Sequence, residues 1–457
     1  MLKFFLTSVA MKIKNSFFFL LLFIPVFCFT QGKYVVKNKK GVDKINFKLL
    51  NNVIIIPVEV NDVKLSFLLD SGVSKPIVFN FLKASDSLKI LNTETIYLKG
   101  LGNNGKIAAL KSSGNTFKVG DAVNNNQDFY VIFDSSINFA PKLGVPIHGI
   151  IGYDLFKDLV VDISYTKKKI KLTNPEKHKY KACKKCETFN LEFYNSKPYF
   201  NASVAINNKN IPVKLLIDTG SSDALWLFEN DSLGLTSKNN YFDDFLGHGL
   251  SGSVHGKRSK IDAFKLKSFT LNRPLVAYPD SSYTSILRQI KGRRGSVGGE
   301  ILKRFNITMD YRKARMVLKR NSNFNQRFSY NKSGIEVENE GIRLVTEYGQ
   351  NAISDRDSPN VINTNSVNVR AVFANTRKYI IKKAYTISSV RDNSPAAKAG
   401  LKKGDVILKI NNNDTLKYSL QQLIYKFYGN EGDKITLEVE RLGRKIKATF
   451  ILESLIK

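Results

Sequence analysis

The chain has 457 residues, 43% of them hydrophobic and 24% charged, with 12 Pro and 29 Gly. That length calls for about two to four domains, and the composition excludes a low-complexity or collagen-like chain. The formal net charge of +32 would suit anionic envelope surfaces such as lipid or cell-wall polymer, but the lysines are scattered and read first as solvated faces, and with no nucleic-acid motif among them no nucleic-acid partner is expected.

Residues 1–32 read as an export signal. Lys12 and Lys14 precede an apolar run from Phe17 to Phe29, and Thr30 and Gly32 are small residues at a cleavage site. The run is too short for a comfortable membrane span. A buried N-terminal helix is the alternative, but the run has no polar face to support it. Met11 is an alternative start, and Phe27 stands where a lipid-anchor cysteine at Cys28 would need a small residue. Cleavage leaves a chain beginning near Lys33, exported to the periplasm or secreted.

A β-branched stretch, Val53 to Val60, closes at the turn pair Asn61-Asp62. The next apolar run, Leu65 to Leu69, leads into Asp70-Ser71-Gly72. The same design returns when Val213 to Ile217 leads into Asp218-Thr219-Gly220, at an offset of 148. Gly100, Gly102, Gly105 and Phe117 recur as Gly247, Gly249, Gly252 and Phe264 at an offset of 147. Gly152, Tyr165 and Leu172 recur as Gly298, Tyr311 and Leu318 at an offset of 146. So steady an offset marks a duplication. Short apolar stretches after Gly152 and Gly298 suggest one or two helical turns. Between the units, residues 174–188 are Lys-rich and read as a linker. Within them, Cys183 and Cys186 form a local disulfide in an oxidising compartment or remain structural thiols. Neither a redox nor a zinc site is supported by their flanks.

Two D-[ST]-G loops in register supply what peptide hydrolysis by water needs. One carboxylate takes a proton from water, and a second carboxyl donates a hydrogen bond to the carbonyl oxygen. Two such groups side by side cannot both ionise, so they share a proton. Asp70 and Asp218 are the candidate pair. Ser71 and Thr219 offer short hydroxyls that can cross-link the two loops. Gly72 and Gly220 permit a tight turn and close substrate approach. An Asx-turn at a strand end would explain one such loop but not two inside a repeat. The four histidines, His148, His178, His248 and His255, have no metal-ligand spacing, and no metal or cofactor is expected. Trp226 reads as core packing.

These motifs resemble the pepsin and retropepsin superfamily of aspartic peptidases. Ile150-Ile151-Gly152 and Ser296-Val297-Gly298 follow the two Asp residues by 82 and 80 positions, matching the apolar-apolar-Gly element of that family except at Ser296. The resemblance covers residues 47–320, and the unit lengths suggest two fused retropepsin-like units. It implies a mainly β fold, two β-barrel lobes around a central cleft, and Asp70 and Asp218 as catalytic residues on peptide or protein substrates. It also makes the two Gly-rich segments (Gly100, Gly102, Gly105 and Gly247, Gly249, Gly252) flaps over the cleft, plain β-turns being the alternative for the second. Ser221 fits the family preference after D-[ST]-G, whereas Val73 does not and offers Asp70 no hydroxyl.

Residues 386–412 contain Ser394-Pro395-Ala396, Ala399-Gly400-Leu401 and Gly404-Asp405 and resemble a bacterial PDZ domain, an α+β fold that binds peptides by strand addition. Ser333 to Val337 is the expected first strand. Ile335, Val337, Leu416, Leu420 and Leu423 are the candidate groove, the leucines falling at helical spacing. Glu338 and Glu340 near the expected carboxylate loop disfavour capture of a free chain end. The expected division is 33–175 for lobe 1, 176–325 for the linker and lobe 2, and 326–457 for the PDZ-like domain with an Asn-rich insertion at 342–378. The whole resembles an exported bacterial aspartyl protease, an endopeptidase without a covalent intermediate. The alternative is an inactive relative acting as an envelope peptide-binding or scaffold protein, which Val73 keeps open. A tethered PDZ-like domain would be dispensable for hydrolysis of short peptides, so a chain ending near Asn325 is expected to retain it.

Overall fold

The computed structural model describes residues 32–79, 88–98, 100, 105–134, 137–237, 240–284, 287, 290–353 and 372–456. Residues 1–31 of the expected export signal and Gly102 lie outside these residues.

Short polar turns set the strand pairings. Asn51-Asn52, Asn61-Asp62, Asn195-Ser196, Asn207-Asn208 and Asn411-Asn412 all have positive φ at both residues. Two successive left-handed residues give a hairpin turn whose twist matches its strands, and Asn tolerates that region better than most side chains. The turns at 61–62 and 207–208 fold Val53–Val60 onto Val63–Leu69 and Lys197–Ile206 onto Lys209–Ile217.

The fold is mainly β. In lobe 1, Gly149–Ile151 lies between Val63–Leu69, to which it is parallel, and Ile77–Phe79, to which it is antiparallel. In lobe 2, Arg293–Val297 lies in the same way between Lys209–Ile217 and Leu225–Leu227. Each inserted strand receives the amide at the start of an Asp loop: Asp70 donates to the Ile151 carbonyl at 2.8 Å and Asp218 to that of Val297 at 3.0 Å. The copies diverge beyond this centre. One long strand of lobe 1, Ile107–Val119, corresponds to two in lobe 2, Gly252–Lys260 and Ala263–Leu266.

A third sheet of six strands joins the lobes. It is built from the ends of the two repeats, Val160–Ser164 pairing antiparallel with Phe305–Asp310. The Lys-rich segment is more than a linker, because Cys186–Asn190 adds to this sheet beside Arg315–Arg320. Cys183 and Cys186 are joined as a disulfide just before that strand. One apolar cluster, including Phe67, Phe117, Phe156, Phe200, Phe264 and Phe305, runs through both lobes.

The C-terminal region has its own core. Ile335–Ile353 and Val372–Val390 form a hairpin, so the described ends of the expected insertion, 342–353 and 372–378, are its strand arms. Ser419 and Gln422 form a capping box that starts the helix Leu420–Lys426. Leu416 is therefore not on that helix; it lies on the single turn Thr415–Lys417 and is exposed. Ile335, Val337, Leu420 and Leu423 are buried in this core.

The domain is docked on the lobes rather than tethered to them. Tyr330 and Ile456 belong to the apolar cluster of the lobes, and the Tyr330 hydroxyl accepts the amides of Leu455 and Ile456. Asn51 of lobe 1 donates its amide to the Gln421 side chain at 3.1 Å. Ending the chain near Asn325 would strip Tyr330 and Ile456 from the lobe core, so the truncated chain is expected to lose stability as well as the PDZ-like domain. Tyr330→Ala alone should cost about 3 kcal/mol in urea unfolding. A cost below about 0.5 kcal/mol, the range of ordinary surface changes, would show that the docking contributes nothing.

Candidate active site

The two Asp loops are held together by a reciprocal pair of hydroxyls. The Ser71 amide donates to Thr219 Oγ1 at 2.9 Å, and the Thr219 amide donates to Ser71 Oγ at 3.1 Å. Each hydroxyl then donates across the lobe boundary, Ser71 Oγ to the Ile217 carbonyl at 2.6 Å and Thr219 Oγ1 to the Leu69 carbonyl at 2.8 Å. Both residues are fully buried, where an unpaired polar group is costly, so the four bonds fix the loops against each other. The repeat's hairpin turns add a second crossing. Asn52 Nδ2 donates to the Ser222 carbonyl at 2.9 Å, and Ser74 Oγ to the Asn195 carbonyl at 2.8 Å.

This framework brings the carboxyls of Asp70 and Asp218 within hydrogen-bonding reach of each other. The Gly72 amide donates to Asp70 Oδ1 at 2.7 Å and the Gly220 amide to Asp218 Oδ1 at 3.1 Å. Gly220 is required by the approach itself, since a Cβ there would sit 2.5 Å from Asp70 Cγ. Gly152 is equally constrained: its Cβ would meet the Asp70 carbonyl oxygen at 1.9 Å.

Burial, and then the charge of Asp218, push the Asp70 carboxyl up to about 7, against the opposing pull of the Gly72 amide and Lys197. Burial also raises Asp218, but Arg293, Lys197 and the amides of Gly220 and Ser221 oppose it. The two titrate as a pair, with Asp70 the better seat for the shared proton and Asp218 the better seat for the charge. Ser221 serves Asp218 through its main-chain amide. Val73 donates its amide to the Asp70 carbonyl at 3.2 Å and packs its side chain against a lobe-1 apolar cluster.

The two Gly-rich segments lie on hairpins that meet. The first pairs Thr93–Leu98 with Ile107–Val119 and carries Gly100 and Gly105 in its tip. The second pairs Tyr241–Gly249 with Gly252–Lys260, placing Gly247, Gly249 and Gly252 in its strands and Leu250-Ser251 at its tip. Ser251 Oγ accepts the Gly100 amide at 2.9 Å and donates to the Gly105 carbonyl at 3.3 Å. Trp226 is half-buried beneath the second hairpin, with Leu246, Val254 and Ala277, rather than deep in the core. His248 lies on that hairpin and pairs with Ser253.

Sequence reading missed Ser251, Lys197 and Arg293. Ser251 carries no motif of its own. For the two cations the signal was present as polar residues at repeat positions whose counterparts are apolar. The PDZ-like domain also borders the site: one cavity of about 1200 Å³ reaches from Gly220, Val53 and Leu68 past Phe245 to Val337 and Ile424.

Residues 56–155 match the family model of an aspartyl protease, and residues 386–441 match that of a PDZ domain. The crystal structure of an aspartic proteinase from Irpex lacteus is similar at 13% identity with a TM-score of 0.40, over 62% of this chain and 99% of that one. No curated protein matches the chain significantly.

The hydroxyl interlock gives a direct test. Thr219→Val leaves the Ser71 amide and the Leu69 carbonyl without their partners and should cost at least about 2 kcal/mol in denaturant unfolding. Thr219→Ser, which keeps the hydroxyl, should recover most of that loss.

Proposed function

We propose that this chain is an aspartic endopeptidase, a reading carried by one observation: two D-[ST]-G loops, contributed by two repeats, are interlocked by reciprocal hydroxyl bonds that set the Asp70 and Asp218 carboxyls side by side at the centre. A water held between the carboxyls gives a proton to Asp218 as its oxygen attacks the peptide carbonyl carbon. Asp70 donates its proton toward the carbonyl oxygen, so the tetrahedral species forms as a neutral diol. Collapse breaks the C–N bond, the proton on Asp218 passes to the leaving amine, and Asp70 recovers its own from a diol hydroxyl. No covalent enzyme intermediate arises. The apposed hairpins, latched by Ser251, would have to part to admit a peptide and would then cover it.

The alternative of an inactive scaffold rested on Val73. Its main chain serves the Asp70 loop and its side chain fills an apolar cluster, so Val73 has a packing role that supports an intact loop at Asp70. The PDZ-like domain supports peptide binding as a wall of the same cavity. Export is inferred from the apolar run Phe17 to Phe29 after Lys12 and Lys14, and N-terminal sequencing of secreted or periplasmic protein should begin near Lys33.

Asp70→Asn and Asp218→Asn should each lower kcat/KM for peptide hydrolysis by at least about 1000-fold, and the double change should cost little more than one alone because the pair acts as a unit. Activity of the unaltered protein should persist toward neutral pH and fall as pH rises through about 7, where Asp70 loses its proton. Near-normal turnover by either Asn variant would overturn the reading.

A further inference from the structure

The duplication makes the two walls of the cleft comparable residue by residue, and they differ sharply beside the Asp pair. In lobe 1, Ile55 pairs with Leu68, so the register continues to set Val53 opposite Asp70. In lobe 2, Tyr199 pairs with Leu216, and the same continuation sets Lys197 opposite Asp218. Both residues follow equivalent two-residue turns, 51–52 and 195–196. The second difference lies on the inserted strands. The Phe79 amide donates to the His148 carbonyl at 2.9 Å and the Phe228 amide to the Arg294 carbonyl at 2.8 Å. The residues just before these carbonyls are therefore counterparts: Ile147 in lobe 1 and Arg293 in lobe 2. Val53 and Ile147 line the cavity on the lobe-1 side. Their lobe-2 counterparts, an ammonium and a guanidinium, lie beside the Asp pair and outside the lining of that cavity.

Neither cation is neutralised by a close carboxylate, although Arg293 Nε donates to the Gly295 carbonyl at 3.4 Å. Arg293 is 5% exposed and lies over the rings of Tyr199 and Phe228 at 5.7 and 5.4 Å. Lys197 is half-buried. Among the described residues neither has a carboxylate within ion-pair distance, 4.0 Å. Lys197 feels both carboxyls of the Asp pair at longer range and Arg293 feels that of Asp218, while the charge of Arg293 makes Lys197 harder to charge. A buried cation without a close counter-ion is costly, and two side by side more so, whereas a ligand carboxylate placed between them would relieve both.

We propose that Lys197 and Arg293 form a carboxylate-binding subsite on the lobe-2 side of the cleft, so that the enzyme selects peptides carrying a carboxylate there and an apolar residue on the lobe-1 side. This rests on the endopeptidase reading and names its substrate class. The carboxylate is supplied by an Asp or Glu side chain or by a chain terminus. Charge-assisted hydrogen bonds to such a group correspond to a preference of about 10- to 100-fold over a neutral amide.

The test uses the full chain and octapeptides capped at both ends, each with one Glu or Gln moved through the positions flanking a Leu. A second set has a free C-terminal carboxylate in place of the Glu. Cleavage is read as the Glu/Gln ratio of kcat/KM. Binding of the same pairs to the Asp70→Asn form is read by calorimetry, which decides the matter whether or not peptides are cut. The expected result is a ratio of about 10 or more at one position, falling toward 1 in Lys197→Met and inverting in favour of Lys over Glu in Lys197→Glu. A gain confined to the free-terminus set would identify the chain end as the source. Cleavage without discrimination, equal binding of Glu and Gln peptides, or a ratio unchanged in Lys197→Met would overturn the subsite while leaving the endopeptidase reading intact. Loss of all cleavage with the Glu preference kept in binding would do the reverse.

Discussion

The site depends on the exchange of hydroxyl bonds between Ser71 and Thr219. Each Asp loop turns back at the end of a buried strand, and neither loop alone can satisfy its amide and the carbonyl of the strand that precedes it. Ser71 caps Ile217, Thr219 caps Leu69, and each amide bonds the opposite hydroxyl. The loops therefore satisfy each other, and that reciprocity is available only when two of them meet. It sets the carboxyls of Asp70 and Asp218 side by side; burial raises both, and the charge of Asp218 raises Asp70 further. The proton sharing that the chemistry needs follows from the way the backbone is satisfied.

Around that centre the two-fold design is relaxed. The six-stranded sheet is close to symmetric because it pairs the two repeat ends with each other. The tips of the hairpins are not, since only the second presents a serine to bond two main-chain groups of the first. The residues beside the Asp pair differ most, Val53 and Ile147 against Lys197 and Arg293. A symmetric pair of carboxyls has no preferred proton seat. Arg293 acts on Asp218 and does not figure at Asp70, so the asymmetry of the walls makes the surroundings of the two carboxyls unequal.

Much of this was legible in the sequence because a duplication turns weak motifs into strong ones. Asp70-Ser71-Gly72 alone is compatible with an ordinary turn; placed 148 residues before Asp218-Thr219-Gly220, it defines a cleft. The turns at Asn61-Asp62 and Asn207-Asn208 were readable from residue type, since few other side chains accept left-handed backbone. Periodicity misplaced Leu416: helical spacing counts residues but does not see Ser419, whose capping bond starts the helix later. The docking of the PDZ-like domain was hidden for another reason. Tyr330 and Ile456 lie far apart in the chain and show their shared burial only once folded. Lys197 and Arg293 were hidden by their setting, because a lysine in a chain of +32 attracts no attention until its counterpart in the repeat is seen to be valine.

The account stands or falls on the protonation of the carboxyl pair. Carbon-13 NMR of selectively labelled aspartates, assigned through Asp70→Asn and Asp218→Asn, would follow both carboxyls through titration. The account predicts that the pair titrates in two linked steps, that Asp70 keeps its proton up to about pH 7, and that removing either partner moves the other. Two carboxyls titrating independently in the ordinary range near 4, each indifferent to loss of the other, would contradict it.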